Sequence, residues 1–247
     1  MKPLVNFMIV GAQKCGTQSH AFHLNQHPEI FTHEKELHYF DYKSGENNYE
    51  EYHKNFDSVD NQTMIGVSTP SYMYLRHAIR AIHRYNPEMK LLVFLREPVS
   101  RAYSQYMMEK TTGRTSKLFL EMIKELEHVP LQDIRRGGSW ILQRGFYIDQ
   151  LEYILSLFDS ENLLILISEQ IRNSPLCEYK KVFQFFGLPI LDASSFKFNP
   201  RIHRREYQSK ISKSDSKYLS EIYRPYNERL YNFLGYRIPE WEHVCPE

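Results

Sequence analysis

Two groups of residues in this chain have the types and spacing to grip an anion. The first is Val5-Asn6-Phe7-Met8-Ile9-Val10-Gly11-Ala12-Gln13-Lys14-Cys15-Gly16-Thr17, an apolar run ending in a glycine-bounded turn with one lysine. Read as a buried strand, a loop and a helix N-terminus, it gathers backbone N–H groups that lack intrahelical partners. The positive end of a helix dipole points at the same spot. A nucleotide-hydrolase loop reads G-x-x-x-x-G-K-[ST], with the lysine directly before the hydroxyl residue. Here Lys14 stands three residues after Gly11, and Gly16-Thr17 follow with no lysine between them. The loop physics is the same and the cation sits elsewhere. A lysine at a helix N-terminus opposes the dipole, so its presence calls for an anion.

The second group is Leu95-Arg96-Glu97-Pro98-Val99-Ser100-Arg101-Ala102-Tyr103-Ser104. Arg96 ends an apolar strand, and Ser104 lies eight residues on, about two helical turns. A guanidinium fork and a hydroxyl can close on one phosphate. The plainer alternative pairs Arg96 with Glu97 and leaves Ser104 solvated. No acidic residue directly follows the strand ending at Leu95, where a magnesium-binding nucleotide hydrolase would need one.

These groups require a particular framework. Lys90–Leu95 and Leu163–Ile167 read as buried strands, Met64–Val67 as a shorter one, and the segment before Gly11 as the first. Helices are expected over Thr17–Gln26, Tyr74–Tyr85, Pro98 to about Glu109, Ser116–Glu127, Ile148–Phe158, Pro175 to Gly187, and Asp215–Phe233. The last is expected to break at Pro225 and to be capped by Gly235. Continuous apolar strands alternating with helices predict an α/β fold with a P-loop-like central parallel sheet flanked by helices on both faces. Ligands of such sheets bind at the carboxyl ends of the strands. Lys14 and Arg96, 82 residues apart, both follow strand ends.

The 247 residues suit a single α/β domain over 1–247, and 42% hydrophobic content supports a sizeable core. A net charge of +1 makes no case for nucleic acid or a membrane surface, so local basic clusters must carry anion recognition. Cys15, Cys177 and Cys245 lack the spacing of a zinc site or disulfide framework, which points to a reduced, cytoplasmic setting. No stretch reaches the ~20 apolar residues that cross a bilayer. His20 and His23 share a helical face, but no compact acidic or cysteine set accompanies them, so no metal is expected. Arg135, Arg136 and Arg144 flank Gly137-Gly138, and a second basic loop runs Arg201-Ile202-His203-Arg204-Arg205. Either basic loop reads equally as a solvated surface or as an anion contact.

Taken together, the motifs resemble those of sulfotransferases that use 3′-phosphoadenosine 5′-phosphosulfate (PAPS). Gly11 to Thr17 is similar to their 5′-phosphosulfate loop, and Arg96 to Ser104 to their 3′-phosphate motif. The heparan-sulfate and bacterial carbohydrate branch is the nearest in pattern. Its acidic-x-His-aromatic-Phe-Asp segment is matched by Glu36-Leu37-His38-Tyr39-Phe40-Asp41, and its tail by Tyr223 to Leu230. The resemblance runs from about residue 5 to residue 236. It implies sulfuryl transfer from PAPS to a hydroxyl or amine of an acceptor, a glycan or small hydroxylated molecule, without a metal. Donor binding would fall to Gly11, Gln13, Lys14, Cys15, Gly16, Thr17, Gln18, Arg96 and Ser104, with Arg204 and Arg205 over the 3′-phosphate and adenine. Catalysis would fall to Lys14 on the leaving phosphate, Glu36 as base and His38 as its companion, with Glu34 the competing carboxylate. Without the motif, Glu34-Lys35-Glu36 would read as a solvated charge run. One departure stands out: where the heparan-sulfate enzymes carry a lysine before Thr-Pro-x-Tyr, this chain has Ser68. A kinase using ATP and magnesium is the alternative enzyme, and a nucleotide-binding module without activity the third reading.

Overall fold

The structure, a computed structural model, describes residues 4–42, 49–127, 140–200, 202 and 209–242. In chain order, five strands are β1 (Phe7–Gly11), β2 (Ile30–His33), β3 (Met64–Ser68), β4 (Lys90–Leu95) and β5 (Leu163–Ile167). The helices are α1 (Thr17–Leu24), α2 (Tyr39–Tyr42), α3 (Tyr49–His53), α4 (Arg76–Tyr85), α5 (Pro98–Thr111) and α6 (Phe119–Glu127). They continue as α7 (Tyr147–Leu155), α8 (Ser168–Asn173), α9 (Pro175–Phe186), α10 (Lys213–Leu234) and α11 (Pro239–Glu242). The chain forms two compact units, drawn from Met1–Leu95 with Leu151–Arg204 and from Arg96–Gln150 with Arg205–Glu247.

The first unit is built on one parallel sheet in the order β2-β3-β1-β4-β5. Every residue of β1 and β3 is buried, as expected for strands covered on both faces. Helix α1 packs against β1, β2 and β3, and α8 and α9 against β5. β1 and β4 are neighbours, with Phe7 opposite Lys90 and Gly11 opposite Val93. Gly66 is required opposite Phe7: a Cβ there would lie 2.5 Å from the Phe7 ring.

The second unit packs α5, α6 and α10 around Val99, Ala102, Tyr106, Phe119, Ile123, Leu219 and Tyr223. Arg101 is wholly buried within it. Its guanidinium donates to Gln105 Oε1 (2.8 Å) and to the Ile141 carbonyl, and Gln105 Nε2 in turn donates to Glu109 Oε1 (2.8 Å). This polar ladder takes up the two terminal nitrogens of a charge that would otherwise be costly to bury.

Several element boundaries differ from the sequence expectations. Tyr72–Tyr74 forms a 3-10 turn, and α4 starts only at Arg76. Pro225 does not break its helix: α10 runs through it to Leu234 and ends at left-handed Gly235 (φ 78). Packing on both sides of the proline outweighs the lost N–H. Tyr226 stacks on Phe146 with centroids 3.9 Å apart, and Tyr223 and Leu230 are buried.

Candidate active site

Between β1 and α1 the chain turns through two left-handed residues, Lys14 (φ 72) and Gly16 (φ 79). Glycine adopts this conformation freely, whereas a residue with a Cβ pays roughly 1–2 kcal/mol. Among the described residues, Lys14 and His38 (φ 49) are the non-glycine residues with positive φ, and both were singled out from the sequence for chemistry. Strain of this kind concentrates at ligand and catalytic sites. Alternating backbone of this sort also turns successive N–H groups toward one concavity, which favours an anion.

The start of α1 carries no side-chain cap hydrogen bond and no acidic residue in its first turn. Helix α5 is built differently. Glu97 Oε1 accepts from the Val99 N–H (2.8 Å) and Oε2 from the Ser100 N–H (2.7 Å). That carboxylate therefore caps a helix, which replaces the simple Arg96–Glu97 pairing as its role. The Arg96 carbonyl accepts from the Tyr147 hydroxyl at 2.8 Å, and Ser104 lies on α5, half-buried. The first helix offers its N-terminal amides to an outside anion; the second has committed two of its own.

Glu36 follows β2 and is half-buried, while Glu34 is exposed. Both oxygens of Glu36 have partners. Gln18 Nε2 donates to Oε1 at 3.2 Å, and His38 Nε2 lies 3.3 Å from Oε2. On its other side, His38 Nδ1 lies 2.8 Å from Asp41 Oδ2, which also accepts from the Ser71 hydroxyl at 2.8 Å. The imidazole thus sits between two carboxylates. Its bond to buried Asp41, then its bond to Glu36, raise its pKa from 6.5 to about 10. His38 is therefore an imidazolium at neutral pH, donating from both nitrogens. The segment is fixed from outside as well: Tyr72 Oη accepts from the Phe40 N–H at 3.3 Å, and His77 Nε2 lies 3.3 Å from the Asp41 carbonyl.

Gln18, one residue into α1, donates to Glu36 and reaches the Ser68 carbonyl at 3.5 Å. Ser68 ends β3 wholly buried, and its hydroxyl has no hydrogen-bond partner among the described residues. Cys15 is buried and Gln13 half-buried within the turn. Arg204, Arg205, Arg201, His203, Arg135 and Arg136 lie outside the described residues; Arg144 is half-buried in the second unit.

His23 of α1 and His27 just beyond it bond to backbone groups. His23 Nδ1 lies 2.6 Å from the Ser19 carbonyl and its Nε2 accepts from the Asn199 N–H at 3.0 Å. His27 bridges the Pro189 carbonyl and the Glu29 N–H. No group of three or more His, Cys, Asp or Glu side chains placed to hold a metal occurs among the described residues.

Asp41 carried no assigned role in the sequence, although it lies in the quoted motif. Its only local signal was a spacing of three residues from His38. The partner that makes it matter, Ser71, is 30 residues away.

A parallel sheet with an uncapped, lysine-bearing loop after its central strand, and a carboxylate paired with an imidazole beside it, is the framework of an α/β group-transfer enzyme. The Sulfotransferase domain family matches residues 5–224, and the chain belongs to it. Human heparan sulfate glucosamine 3-O-sulfotransferase 6 is 30% identical over 253 residues, covering 92% of this chain and 71% of the relative. Membrane-associated sulfotransferase kil1 of Dictyostelium discoideum is 22% identical, covering 97% of this chain and 67% of that protein. The chain spans only 64% of the human 3-O-sulfotransferase 3B1 and 31% of the mouse bifunctional heparan sulfate N-deacetylase/N-sulfotransferase 4. In fold it is similar to a sulfotransferase from Alicyclobacillus acidocaldarius, with a TM-score of 0.79 at 23% identity, covering 97% of this chain and 99% of the other.

Proposed function

We propose that this protein transfers a sulfuryl group from PAPS to a carbohydrate hydroxyl, with Glu36 as the base. The observation that carries this reading is Glu36 itself: a carboxylate held by Gln18 from the loop helix and by the His38 imidazolium, both within 3.3 Å. Family membership and the heparan-sulfate relatives support sulfuryl transfer and a glycan acceptor.

The donor supplies an activated sulfuryl group on a phosphate leaving group. Lys14, the left-handed turn and the uncapped N-terminus of α1 fit an anion at its 5′ end. By the motif, Arg96 and Ser104 would take the 3′-phosphate, joined by Arg204 and Arg205. As the acceptor oxygen bonds to sulfur and the sulfur–oxygen bond to the phosphate breaks, the acceptor proton passes to Glu36. General-base help of this kind is worth about 10²–10⁴-fold. Charge moves onto the leaving phosphate, where Lys14 stabilises it; positioning and electrostatics do most of the work in such transfers.

Ser68 narrows the acceptor question. The lysine that the heparan-sulfate pattern carries here is absent, and the buried Ser68 side chain brings no positive charge. We place acceptor recognition on groups other than this position: either a basic residue of the C-terminal part substitutes, or acceptor binding differs from that of the heparan-sulfate pattern. The thiols of Cys15 and Cys177, both free of disulfides, support a reducing, cytoplasmic setting. No helix among the described residues is long and apolar enough to cross a membrane.

The test is transfer of labelled sulfate from PAPS across a panel of desulfated and neutral glycans, with ATP and magnesium as the control donor. Labelled glycan with PAPS alone supports the reading. Phosphoryl transfer from ATP with no sulfated product would overturn it.

A further inference from the structure

Two side chains that no motif includes lie beneath the loop between β1 and α1. Ser168, the first residue of α8, donates its hydroxyl to the Cys15 carbonyl at 3.0 Å across 153 residues of sequence. His20 lies on the buried face of α1. Its ring lies flat against Phe94 of β4, with centroids 4.0 Å apart and planes within 9°, and its Nδ1 is 2.8 Å from the Tyr179 hydroxyl of α9.

Burial drives the His20 pKa from 6.5 down to about 3, so the ring is neutral. Its Nε2 lies 3.5 Å from where a Gly16 Cβ would be, which places the ring directly under the turn.

We propose that Ser168 is a positioning residue for the donor: by holding the Cys15 carbonyl it aims the Gly16 N–H at the 5′-phosphosulfate. In a planar trans peptide the C=O and the following N–H point in opposite directions. A carbonyl fixed inward by the Ser168 hydroxyl turns the Gly16 N–H outward, into the concavity shaped by left-handed Lys14 and Gly16. The peptide would otherwise be free to rotate between both faces of the loop, and donor binding would have to supply the ordering itself. This inference rests on the reading of the loop as a PAPS site.

The test is calorimetric binding of adenosine 3′,5′-bisphosphate to wild type, Ser168→Ala, Ser168→Thr and His20→Phe, with thermal melting of each. Loss of one hydrogen bond at the clamp should weaken binding about 5- to 10-fold in Ser168→Ala. Ser168→Thr, which keeps the hydroxyl, should restore affinity to within twofold of wild type. His20→Phe keeps a ring beneath the turn and leaves the Ser168 hydroxyl in place, so its affinity should stay within twofold of wild type; if Ser168→Ala fails to fold, Ser168→Cys, a weaker donor of similar size, takes its place with the same expected loss. Affinity of a folded Ser168→Ala within twofold of wild type would overturn the clamp. So would equal weakening in Ser168→Ala and Ser168→Thr together with equally lowered melting temperatures, the mark of general destabilisation. No binding by wild type would instead overturn the donor reading, and the inference with it.

Discussion

Gln18 and Glu36 are hydrogen-bonded side chain to side chain at 3.2 Å. One belongs to the helix whose N-terminus forms the anion loop, and the other follows the edge strand β2. The contact ties the proposed base to the same helix that faces the donor, so the position of the base depends on the loop being formed. Gln18→Ala is expected to lower kcat about tenfold while leaving the affinity for adenosine 3′,5′-bisphosphate within twofold of wild type, the loss of one neutral hydrogen bond to a charged group. A large drop in nucleotide affinity with unchanged turnover would return Gln18 to the donor side.

Glu36→Gln keeps both hydrogen-bonding neighbours in reach and removes the proton acceptor. Its transfer rate should fall about 10²–10⁴-fold with donor affinity nearly unchanged. Single-turnover kinetics beside equilibrium binding separates the two quantities, and wild-type turnover in this variant would remove Glu36 from the role.

The His38–Asp41 pair makes a pH prediction. The pKa of His38 in the folded protein is raised to about 10, first by Asp41 and then by Glu36. Its contribution to stability is therefore complete below the unfolded value of 6.5 and disappears as pH rises through about 10. Activity that depends on the imidazolium should persist into the alkaline range and fall near that value. Asp41→Asn removes the largest cause of the shift, so the alkaline limb of the pH–rate profile should move down by more than a unit. Titration of His38 by NMR in both proteins checks the assignment, and an unmoved limb contradicts it.

His20 predicts the opposite dependence. Its pKa is lowered to about 3, by burial first, with His23 and Arg172 also disfavouring the charged form. The stability it provides is present above pH 6.5 and is lost as pH falls from there toward 3. Each unit of separation corresponds to about 1.4 kcal/mol. Urea unfolding followed from pH 7 to pH 4 should show a steep loss of stability. His20→Phe should flatten that slope while lowering stability at pH 7; an unchanged slope would assign the acid sensitivity to other groups.

What the sequence disclosed follows the range of each signal. β4 and β5 were legible to the residue, because continuous apolar runs bounded by polar residues have few other uses in a parallel sheet. β2 was not anticipated: it has four residues, alternately buried and half-buried, and it lies at the sheet edge, so its pattern is too short to register. Pro225 misled for a related reason. A local rule predicted a break, and tertiary contacts at Tyr223, Tyr226 and Leu230 held the helix together. At the site, Lys14, Glu36 and His38 carried motif signals within a few residues. The groups around them were less legible: Gln18, Ser71 and Ser168 act across separations of 18, 30 and 153 residues, and Asp41, inside the quoted motif and three residues from His38, had shown no role there. Of these, only Gln18 had been given a role, and that was on the donor. His20 and His23 share a helical face, and with no acidic or cysteine set beside them no metal was to be expected. Their partners, Tyr179 and the Asn199 N–H, come from distant chain and carry no signal in the sequence.

The account depends most on the identity of the donor, and calorimetry on the wild-type protein addresses it directly. Adenosine 3′,5′-bisphosphate, adenosine 5′-monophosphate and ATP with magnesium would each be titrated at one ionic strength. Binding of the bisphosphate at least tenfold tighter than of either other nucleotide is the predicted result, since only it presents phosphate at both ends of the ribose. Tighter binding of ATP with magnesium than of the bisphosphate would contradict the account.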